Sequence, residues 1–164
     1  MDEIENLAEE IGRQADDVSV TVGVAESLTG GLVVQALARA EGASGWLRGG
    51  IVAYSRNVKH TLLQVDVRKV VSERAALAMA AGARKVLEAD VTVALTGVGG
   101  PDEEDGEPPG TVWIATDDGA ESNATLHRFD GPPSEICEQA RLAALTALRD
   151  RFTDDRNRVQ HVGG

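Results

Sequence analysis

The chain has 164 residues, a length that favours a single domain, and its formal net charge is −11. This charge argues against nucleic acid as the main partner, because phosphate groups are bound by basic surfaces, and no apolar run reaches the length of about eighteen residues that predicts a membrane-spanning helix. Hydrophobic residues make up 42% of the chain but aromatic residues only 3%, so the core must be built mainly from alanine, valine, leucine and isoleucine.

The first part of the chain predicts helices that alternate with strands. Apolar residues at helical spacing predict a helix over residues 2–15, and a β-branched run predicts a buried strand over 18–24. The stretch Ala25–Gly31 (AESLTGG) then predicts a tight turn that carries Ser27, and a second helix follows over 32–40. A turn of this kind exposes a side chain and directs helix N–H groups towards a bound group.

The remaining elements follow from the same patterns. After a glycine-rich loop at 42–45, a second strand is predicted over 49–54, and Ser55 and Ser72 are expected to cap a short and a long helix. Further strands are predicted over 91–96, 111–116 and 122–129, the last two joined by a hairpin turn at 117–120, and the final helix starts at 131–134 and carries an apolar stripe to Phe152.

This order of elements predicts an α/β fold. Early alternation of strands and helices followed by a late hairpin is typical of a three-layer α/β/α sandwich with a mixed sheet of about five strands. One domain is expected over residues 1–152. Residues 153–164 are polar and charged and are expected to form a flexible tail.

The charged residues also predict a compartment. Only three of the sixteen basic residues are lysines, namely Lys59, Lys69 and Lys85, and excess carboxylate with little lysine is typical of proteins from high-salt cytoplasm, where the Debye length falls to about 3 Å at 1 M salt. No secretory signal follows Met1, and the single cysteine, Cys137, excludes an intrachain disulfide. A cytoplasmic location is therefore expected.

Two residues that follow successive predicted strands form the strongest candidate site. Ser27 follows the first strand and Lys59 lies on the short helix after the second, so both lie at the carboxyl edge of the sheet if those strands are neighbours. A desolvated lysine with a lowered pKa can activate a serine nucleophile, Tyr54 could relay a proton, and N–H groups of Thr29 to Gly31 could form an oxyanion hole. Spacing alone favours the plainer alternative, in which Ser27 or Thr29 caps a helix and Lys59 is solvated.

A second polar segment lies at 97–110. Gly97, Gly99 and Gly100 follow a predicted strand, but they match neither the P-loop nor the dinucleotide fingerprint. The acidic run at 102–107 lacks the alternating spacing of a calcium loop. A solvated, salt-adapted loop is the favoured interpretation.

Six short blocks occur in an order that resembles one known family. They are AESLTGG from Ala25, GASGWLRGGIVAYS from Gly42, Lys59, VSE from Val71, TGVGGP from Thr96 and PGTVWIA from Pro109. Together they resemble the CinA C-terminal domain family, the nicotinamide-nucleotide amidohydrolases, and the resemblance covers roughly residues 4 to 150.

The resemblance implies an α/β/α domain that hydrolyses the carboxamide of nicotinamide mononucleotide to nicotinate mononucleotide and ammonia. It implies no metal or organic cofactor. The family's serine–lysine dyad corresponds to Ser27 and Lys59, and its tyrosine to Tyr54. Its small loop hydroxyl corresponds to Ser44 and its strand-end hydroxyl to Thr96, which, with Thr29, Gly30 and Gly31, are the expected substrate-binding residues.

The chain also departs from the family pattern. Arg56 stands where the family usually has asparagine, and Gly131-Pro132-Pro133 replaces a Gly-Asp-Arg motif. A second arginine that is common in the family is also missing, because its position is occupied here by Cys137 or Glu138. Those arginines are the expected anchors of an anionic substrate, and Arg56, Arg128 or Arg141 could replace them. The departures favour a rival interpretation, a catalytically weakened nucleotide-binding or interaction module. An alanine-rich, aromatic-poor domain also favours a homo-oligomer.

Overall fold

A computed structural model describes residues 1–162, with side chains described for residues 1–154. The helices are α1 (Glu3–Val18), α2 (Leu32–Ala38), α3 (Ala43–Trp46), α4 (Arg56–Leu63), α5 (Glu73–Leu87) and α6 (Pro133–Val162). The strands are β1 (Val22–Glu26), β2 (Leu47–Val52), β3 (Val91–Gly97), β4 (Thr111–Asp117) and β5 (Ser122–Arg128).

The five strands form one mixed sheet in the order β2-β1-β3-β4-β5. β1 pairs in parallel with both β2 and β3, whereas β4 runs antiparallel to β3 and β5 antiparallel to β4. The chain moves to one side of β1 to form β2 and to the other side to form β3. Open α/β sheets bind ligands at such a reversal, outside the carboxyl ends of the strands.

Helices cover both faces of the sheet, which confirms the predicted α/β fold. On one face, apolar residues of α1, α2 and α6 pack with β-branched and leucine residues of the sheet. On the other face, α4 and α5 pack against smaller residues of β1, β2, β3 and β4. The core lies in these two layers and contains few aromatic side chains, as the composition predicts.

A row of alanines crosses the sheet on the face that α5 covers. Ala25 lies beside Ala94, Ala94 beside Ala115, and Ala115 beside Ala124 in the strand register. The facing positions of α5 include Ala76, Ala80 and Ala83, all fully buried. Small side chains on both surfaces let the helix approach the sheet closely without leaving a void.

Several element boundaries differ from the sequence prediction. The run 18–24 resembles a strand, yet Val18 belongs to α1 and half of its surface is exposed. Ser19 ends α1 in a left-handed conformation (φ 55°), its N–H bonded to carbonyl groups of the last turn, and β1 starts only at Val22. The predicted strand start at 18 is therefore wrong, because the helix cap uses the first β-branched residues.

Other boundaries move in the same way. The predicted loop at 42–45 contains most of the short helix α3, and β2 starts two residues earlier than predicted. Ser55 and Ser72 cap α4 and α5 through their side chains, as expected. α6 continues past Phe152 to Val162, whereas the flexibility expected for 153–164 stays a prediction and residues 163–164 lie outside the described residues.

Within the described part of the chain, no helix is long and apolar enough to cross a membrane.

Candidate active site

The turn between β1 and α2 is built around a buried carboxylate. Glu26, the last residue of β1, has no exposed surface. Its Oε1 accepts hydrogen bonds from the Thr29 hydroxyl (2.6 Å), the Gly31 N–H (3.2 Å) and the Val33 N–H (3.0 Å), and its Oε2 accepts one from the Val34 N–H (2.9 Å). One side chain thus caps α2 and holds the turn that carries Ser27.

The sequence analysis did not identify this role of Glu26. It expected Ser27 or Thr29 as the alternative capping residue, whereas the N-cap position of α2 is Gly31, without a side-chain cap of its own. The available signal was an acidic residue at the end of an apolar strand, directly before a glycine-rich turn. A carboxylate there is placed to accept the N–H groups at the start of the next helix.

Ser27 lies at the carboxyl edge of the sheet and is only 5% exposed. Its hydroxyl has no hydrogen-bond partner among the side chains described for residues 1–154. Within the same residues, the N–H groups of Ser27, Leu28 and Thr29 also have no acceptor. An acyl-transfer site uses a serine nucleophile with N–H donors beside it, and the hydroxyl and N–H groups of this turn are available for those roles.

The structure narrows the predicted oxyanion hole. The Gly30 N–H donates to the Ser27 carbonyl (3.1 Å) and the Gly31 N–H to Glu26, so neither is available to a ligand. Both glycines have positive φ angles, 59° and 109°, which the tight turn requires. The donors that remain in this stretch are those of Ser27, Leu28 and Thr29.

Lys59 lies on α4 and is nearly fully buried, with 3% of its surface exposed. Its Nζ donates a hydrogen bond to the Tyr54 carbonyl (3.3 Å). Burial lowers the pKa of Lys59 below its usual value, the nearby Arg56 guanidinium lowers it further, and Glu104 and Asp105 act in the opposite direction. This environment favours the neutral amine that a general base needs.

Ser27 and Lys59 follow strands that are neighbours. β1 and β2 are parallel and paired to their last residues, and the Ala53 N–H donates to the Glu26 carbonyl just beyond them (2.8 Å). Both side chains therefore lie beyond the same edge of the sheet. No hydrogen bond joins them within the described residues, and catalytic hydrogen bonds are often longer in the absence of substrate.

The other predicted site residues lie in different surroundings. Tyr54 contributes its carbonyl to Lys59, but its side chain is in solvent, with 72% of the residue exposed. Thr96 is buried and donates to the Val70 carbonyl (2.7 Å). Ser44 is exposed on α3, which precedes β2, so it lies at the opposite edge of the sheet from Ser27. The structure does not bring Ser44 to the site.

The loop at 97–110 is tied to the site by its acidic residues. Asp105 accepts hydrogen bonds from the N–H groups of Val70 (2.8 Å) and Val71 (3.1 Å) and from Arg56 on α4 (2.6 Å). Burial alone would raise the pKa of Asp105, but these N–H groups and the guanidinium outweigh it and the pKa falls. The expectation of a merely solvated loop is wrong for this residue.

A second carboxylate of the loop forms ion pairs with two basic side chains. Glu107 forms ion pairs with Lys69 and with Arg128. Gly99 lies near the serine turn, since a Cβ on it would lie 3.8 Å from the Leu28 Cβ. The loop therefore contacts both halves of the candidate site, the serine turn and the lysine helix.

A cavity of about 620 Å³ lies elsewhere, between α6 and strands β4 and β5. It includes His127 and Arg151 but none of the predicted site residues. Among the residues that the structure describes, no group of three or more histidine, cysteine, aspartate and glutamate side chains is placed to hold a metal ion.

Comparison with known proteins gives matches over most of the chain. The family model of the CinA C-terminal domain matches residues 4–152. The chain is 36% identical over 162 residues to a protein named nicotinamide-nucleotide amidohydrolase PncC from Pseudomonas putida, covering 94% of this chain and 100% of that protein. It is 37% identical over 146 residues to a putative competence-damage inducible protein of Desulforamulus reducens, covering 86% of this chain but only 36% of that protein.

Solved structures show the same fold. A CinA superfamily protein from Klebsiella pneumoniae superposes with a TM-score of 0.88 at 28% identity, covering 93% of this chain and 99% of that one. A CinA superfamily protein from Escherichia coli gives 0.85 at 34% identity, covering 88% of each chain. Several curated relatives are longer, and the chain spans about a third of their length. This chain belongs to the CinA C-terminal domain family.

Proposed function

We propose that the protein is an amidohydrolase that deamidates nicotinamide mononucleotide, or a related pyridine nucleotide, through Ser27 and Lys59. The observation that carries this proposal is the environment of Lys59. An amine buried to 3% exposure, with a lowered pKa, lies at the same sheet edge as a serine hydroxyl that has no partner among the described residues. The relative named as a nicotinamide-nucleotide amidohydrolase, matched over its whole length, supports the substrate class.

The proposed reaction has two steps. Neutral Lys59 takes the proton of the Ser27 hydroxyl while the serine oxygen attacks the carboxamide carbon, and N–H groups of Leu28 and Thr29 stabilise the oxyanion. Lys59 returns the proton to the nitrogen, the C–N bond breaks, ammonia leaves and an acyl-serine remains. Water, deprotonated by Lys59, then attacks the ester; Lys59 returns that proton to the Ser27 oxygen as the ester bond breaks, and the released acid ionises to the carboxylate.

The rival proposal is a nucleotide-binding or interaction module with weakened catalysis. A specific observation supports this rival: the arginines that could replace the missing substrate anchors already form ion pairs with carboxylates of the chain. Arg56 pairs with Asp105, Arg128 with Glu107, and Arg141 with Glu138. An intact Ser27 and a buried Lys59 favour the enzyme.

Ammonia release from nicotinamide mononucleotide, assayed in high salt, separates the two proposals. The wild type should release ammonia, and Ser27→Ala and Lys59→Ala should each lower the rate by at least about 10³-fold, as expected when one member of a catalytic pair is removed. Activity that survives both substitutions would exclude the dyad. Binding without turnover by the wild type would favour the rival.

A further inference from the structure

β5 lies at an open edge of the sheet. Within the described part of the chain, no strand pairs with its outer side. At one end of β5 the Asp118 N–H donates to the Glu121 carbonyl (3.1 Å), and at the other end the Phe129 N–H donates to the Gly110 carbonyl (2.8 Å). Because the direction of these groups alternates along an antiparallel pair, every second residue in between points its N–H and C=O groups away from β4. The outward-pointing residues are Ser122, Ala124, Leu126 and Arg128.

This edge lacks the features that usually prevent a strand from pairing with another chain. Natural edge strands often carry proline, lysine or a bulge for that purpose. β5 contains no proline, lysine or glycine, and its seven residues pair with β4 without a shift of register. At the opposite edge, β2 contains Gly49 and Gly50, and its register with β1 shifts between Val22 and Gly23. β5 is therefore the edge that a further strand can extend.

The pattern of β5 is complementary to a second β5 that runs antiparallel to it about Thr125. In that register Ala124 lies opposite Leu126 of the second copy, and Ser122 lies opposite Arg128 of the second copy. Each of these pairs joins two outward-pointing residues, which is the geometry that exchanges two hydrogen bonds in an antiparallel ladder. Every outward N–H and C=O group of both strands then has a partner.

The side chains on one face of β5 fit the same register. Leu126 is 38% exposed, and pairing places it beside Ala124 of the second copy, the residue that ends the alanine row. The alanine row would thus continue into an apolar side chain of the second copy, and the exposed leucine would be covered.

The side chains on the other face are polar and also match. Thr125 would lie beside Thr125 of the second copy, and the His127 imidazole beside the Asn123 amide. The Oδ1 atom of Asn123 already accepts from the Thr116 hydroxyl (2.7 Å), so its NH2 group is the part that can donate to the imidazole. Cross-strand threonine pairs and side-chain hydrogen bonds of this kind stabilise antiparallel sheets.

The two ends of β5 differ in charge. The hairpin end carries Asp118 and Glu121, whereas the other end carries Arg128, whose side chain is 58% exposed. Antiparallel pairing brings the acidic end of each copy to the basic end of the other. In a chain with a net charge of −11, this arrangement reduces the repulsion between two copies and favours this orientation of the pair.

We propose that two copies of this chain associate through β5, with a twofold axis at Thr125, so that their two sheets form one continuous sheet. The same patch is used on both copies, so the contact closes as a dimer. The inference is independent of the proposed hydrolysis. β3 and β4 lie between β1 and β5, so the dimer leaves the serine turn open.

Two opposite charges at Thr125 test the twofold axis. Thr125 is exposed, and Thr125→Lys and Thr125→Glu each place like charges opposite each other in the dimer. At about 0.15 M salt, where the Debye length is about 8 Å, each variant should raise the dissociation constant of the dimer by at least about tenfold. Sedimentation equilibrium measures this constant.

An equimolar mixture of the two variants should restore the dimer, because lysine then lies opposite glutamate. With one variant labelled with ¹⁵N, native mass spectrometry should show the mixed dimer in excess over either homodimer. Thr61→Lys and Thr61→Glu are the matched controls, since Thr61 is exposed on α4, which follows β2 at the opposite end of the sheet. Both controls should dimerise like the wild type.

Amide hydrogen exchange tests the register independently of the variants. In the wild-type dimer the N–H groups of Ala124 and Leu126 should be protected, and dilution to the monomer should remove that protection, whereas the His127 N–H, which points to β4, should stay protected in both states. A wild type that is monomeric at every concentration would overturn the inference. So would a dimer that Thr125→Lys leaves intact, a mixture without mixed dimers, or fast exchange at Ala124 and Leu126 in the dimer.

Discussion

Glu26 determines the geometry of the serine turn. Its two carboxylate oxygens accept four hydrogen bonds, and all four donors belong to the turn or to the first residues of α2. An amide at this position keeps one accepting oxygen but presents an NH2 group to N–H donors. The buried N–H groups then lose a partner, which costs about 1–3 kcal/mol for each unsatisfied group.

Glu26→Gln should therefore lower the free energy of unfolding by about 1–3 kcal/mol, measured by urea denaturation. The kcat of this variant should also fall, since the turn that positions Ser27 is less well fixed. Glu88→Gln is the control, because Glu88 is exposed and its pair with Arg48 spans 3.8 Å; it should change the stability by less than about 0.5 kcal/mol. Equal effects of the two substitutions would contradict the role of Glu26.

The charges around Lys59 predict that two substitutions shift the pH profile of kcat/KM in opposite directions. Activity should rise with pH as Lys59 loses its proton, and the midpoint reports its pKa, which lies below the usual 10.5. Arg56 lowers this pKa, so Arg56→Gln should move the rising limb of kcat/KM to higher pH. Glu104 raises it, so Glu104→Gln should move the limb to lower pH. Shifts in the same direction, or none, would exclude Lys59 as the titrating base.

Burial of Lys59 also has a consequence for stability. Between the lowered pKa of the folded state and the usual value of 10.5, the unfolded chain binds more protons than the folded one, so this residue makes stability increase with pH. Lys59→Met removes the buried amine and should raise the melting temperature near neutral pH while abolishing activity. Calorimetry measures the melting temperature of this variant. A melting temperature below that of the wild type would contradict the destabilisation assigned to burial of the amine.

At the scale of elements, the close contact between α5 and the alanine row predicts sharply different responses at adjacent positions. Ala80 is fully buried against the sheet, whereas Ala81, next along the helix, is exposed. Ala80→Leu inserts three carbon atoms into a packed layer and should cost about 1–3 kcal/mol of unfolding free energy. Ala81→Leu should cost less than about 0.5 kcal/mol.

Urea unfolding of the two variants checks this prediction. The substitutions are chemically identical, and alanine and leucine are both good helix formers, so a difference between them reports packing alone. Similar unfolding free energies for Ala80→Leu and Ala81→Leu would show that the layer is loosely packed.

The elements also show how far sequence reasoning extends. The alternation of strands and helices, and glycines at the turn after β1, predicted that Ser27 and Lys59 lie at one edge of the sheet if the first two strands are neighbours, and the pairing of β1 with β2 meets that condition. The alanine row was not predictable, because it depends on which residues of four different strands lie side by side. Ser44 was expected to bind substrate by resemblance alone. It precedes β2, which runs parallel to β1, so it lies at the edge of the sheet opposite to Ser27.

Interactions of single acidic residues were equally hard to predict. Asp105 belongs to an acidic run and resembles a solvated acid in the sequence, whereas Glu26 ends an apolar strand and its capping role could have been inferred from the glycine-rich turn that follows. Their roles come from backbone N–H groups that the fold brings to them, those of α2 for Glu26 and those of Val70 and Val71 for Asp105. The N–H groups that Asp105 accepts lie 35 and 34 residues away in the sequence, and no local pattern records them.

At the scale of the whole molecule, the excess of acidic residues predicts salt-dependent stability. The 27 acidic residues exceed the 16 basic ones, so repulsion remains after every possible ion pair has formed. Potassium chloride should raise the melting temperature progressively up to roughly 1 M, where the Debye length is about 3 Å. A melting temperature that is constant or falls with salt would show that the ion pairs outweigh the repulsion.

The central claim is that Ser27 forms an acyl-enzyme with a pyridinium carboxamide. Hydroxylamine added to the reaction intercepts such an ester and yields the hydroxamate of the pyridine carboxylic acid, which ferric ion detects. The account predicts ammonia and hydroxamate together in the wild type and neither in Ser27→Ala. Ammonia released without hydroxamate, or both products released by Ser27→Ala, would contradict it.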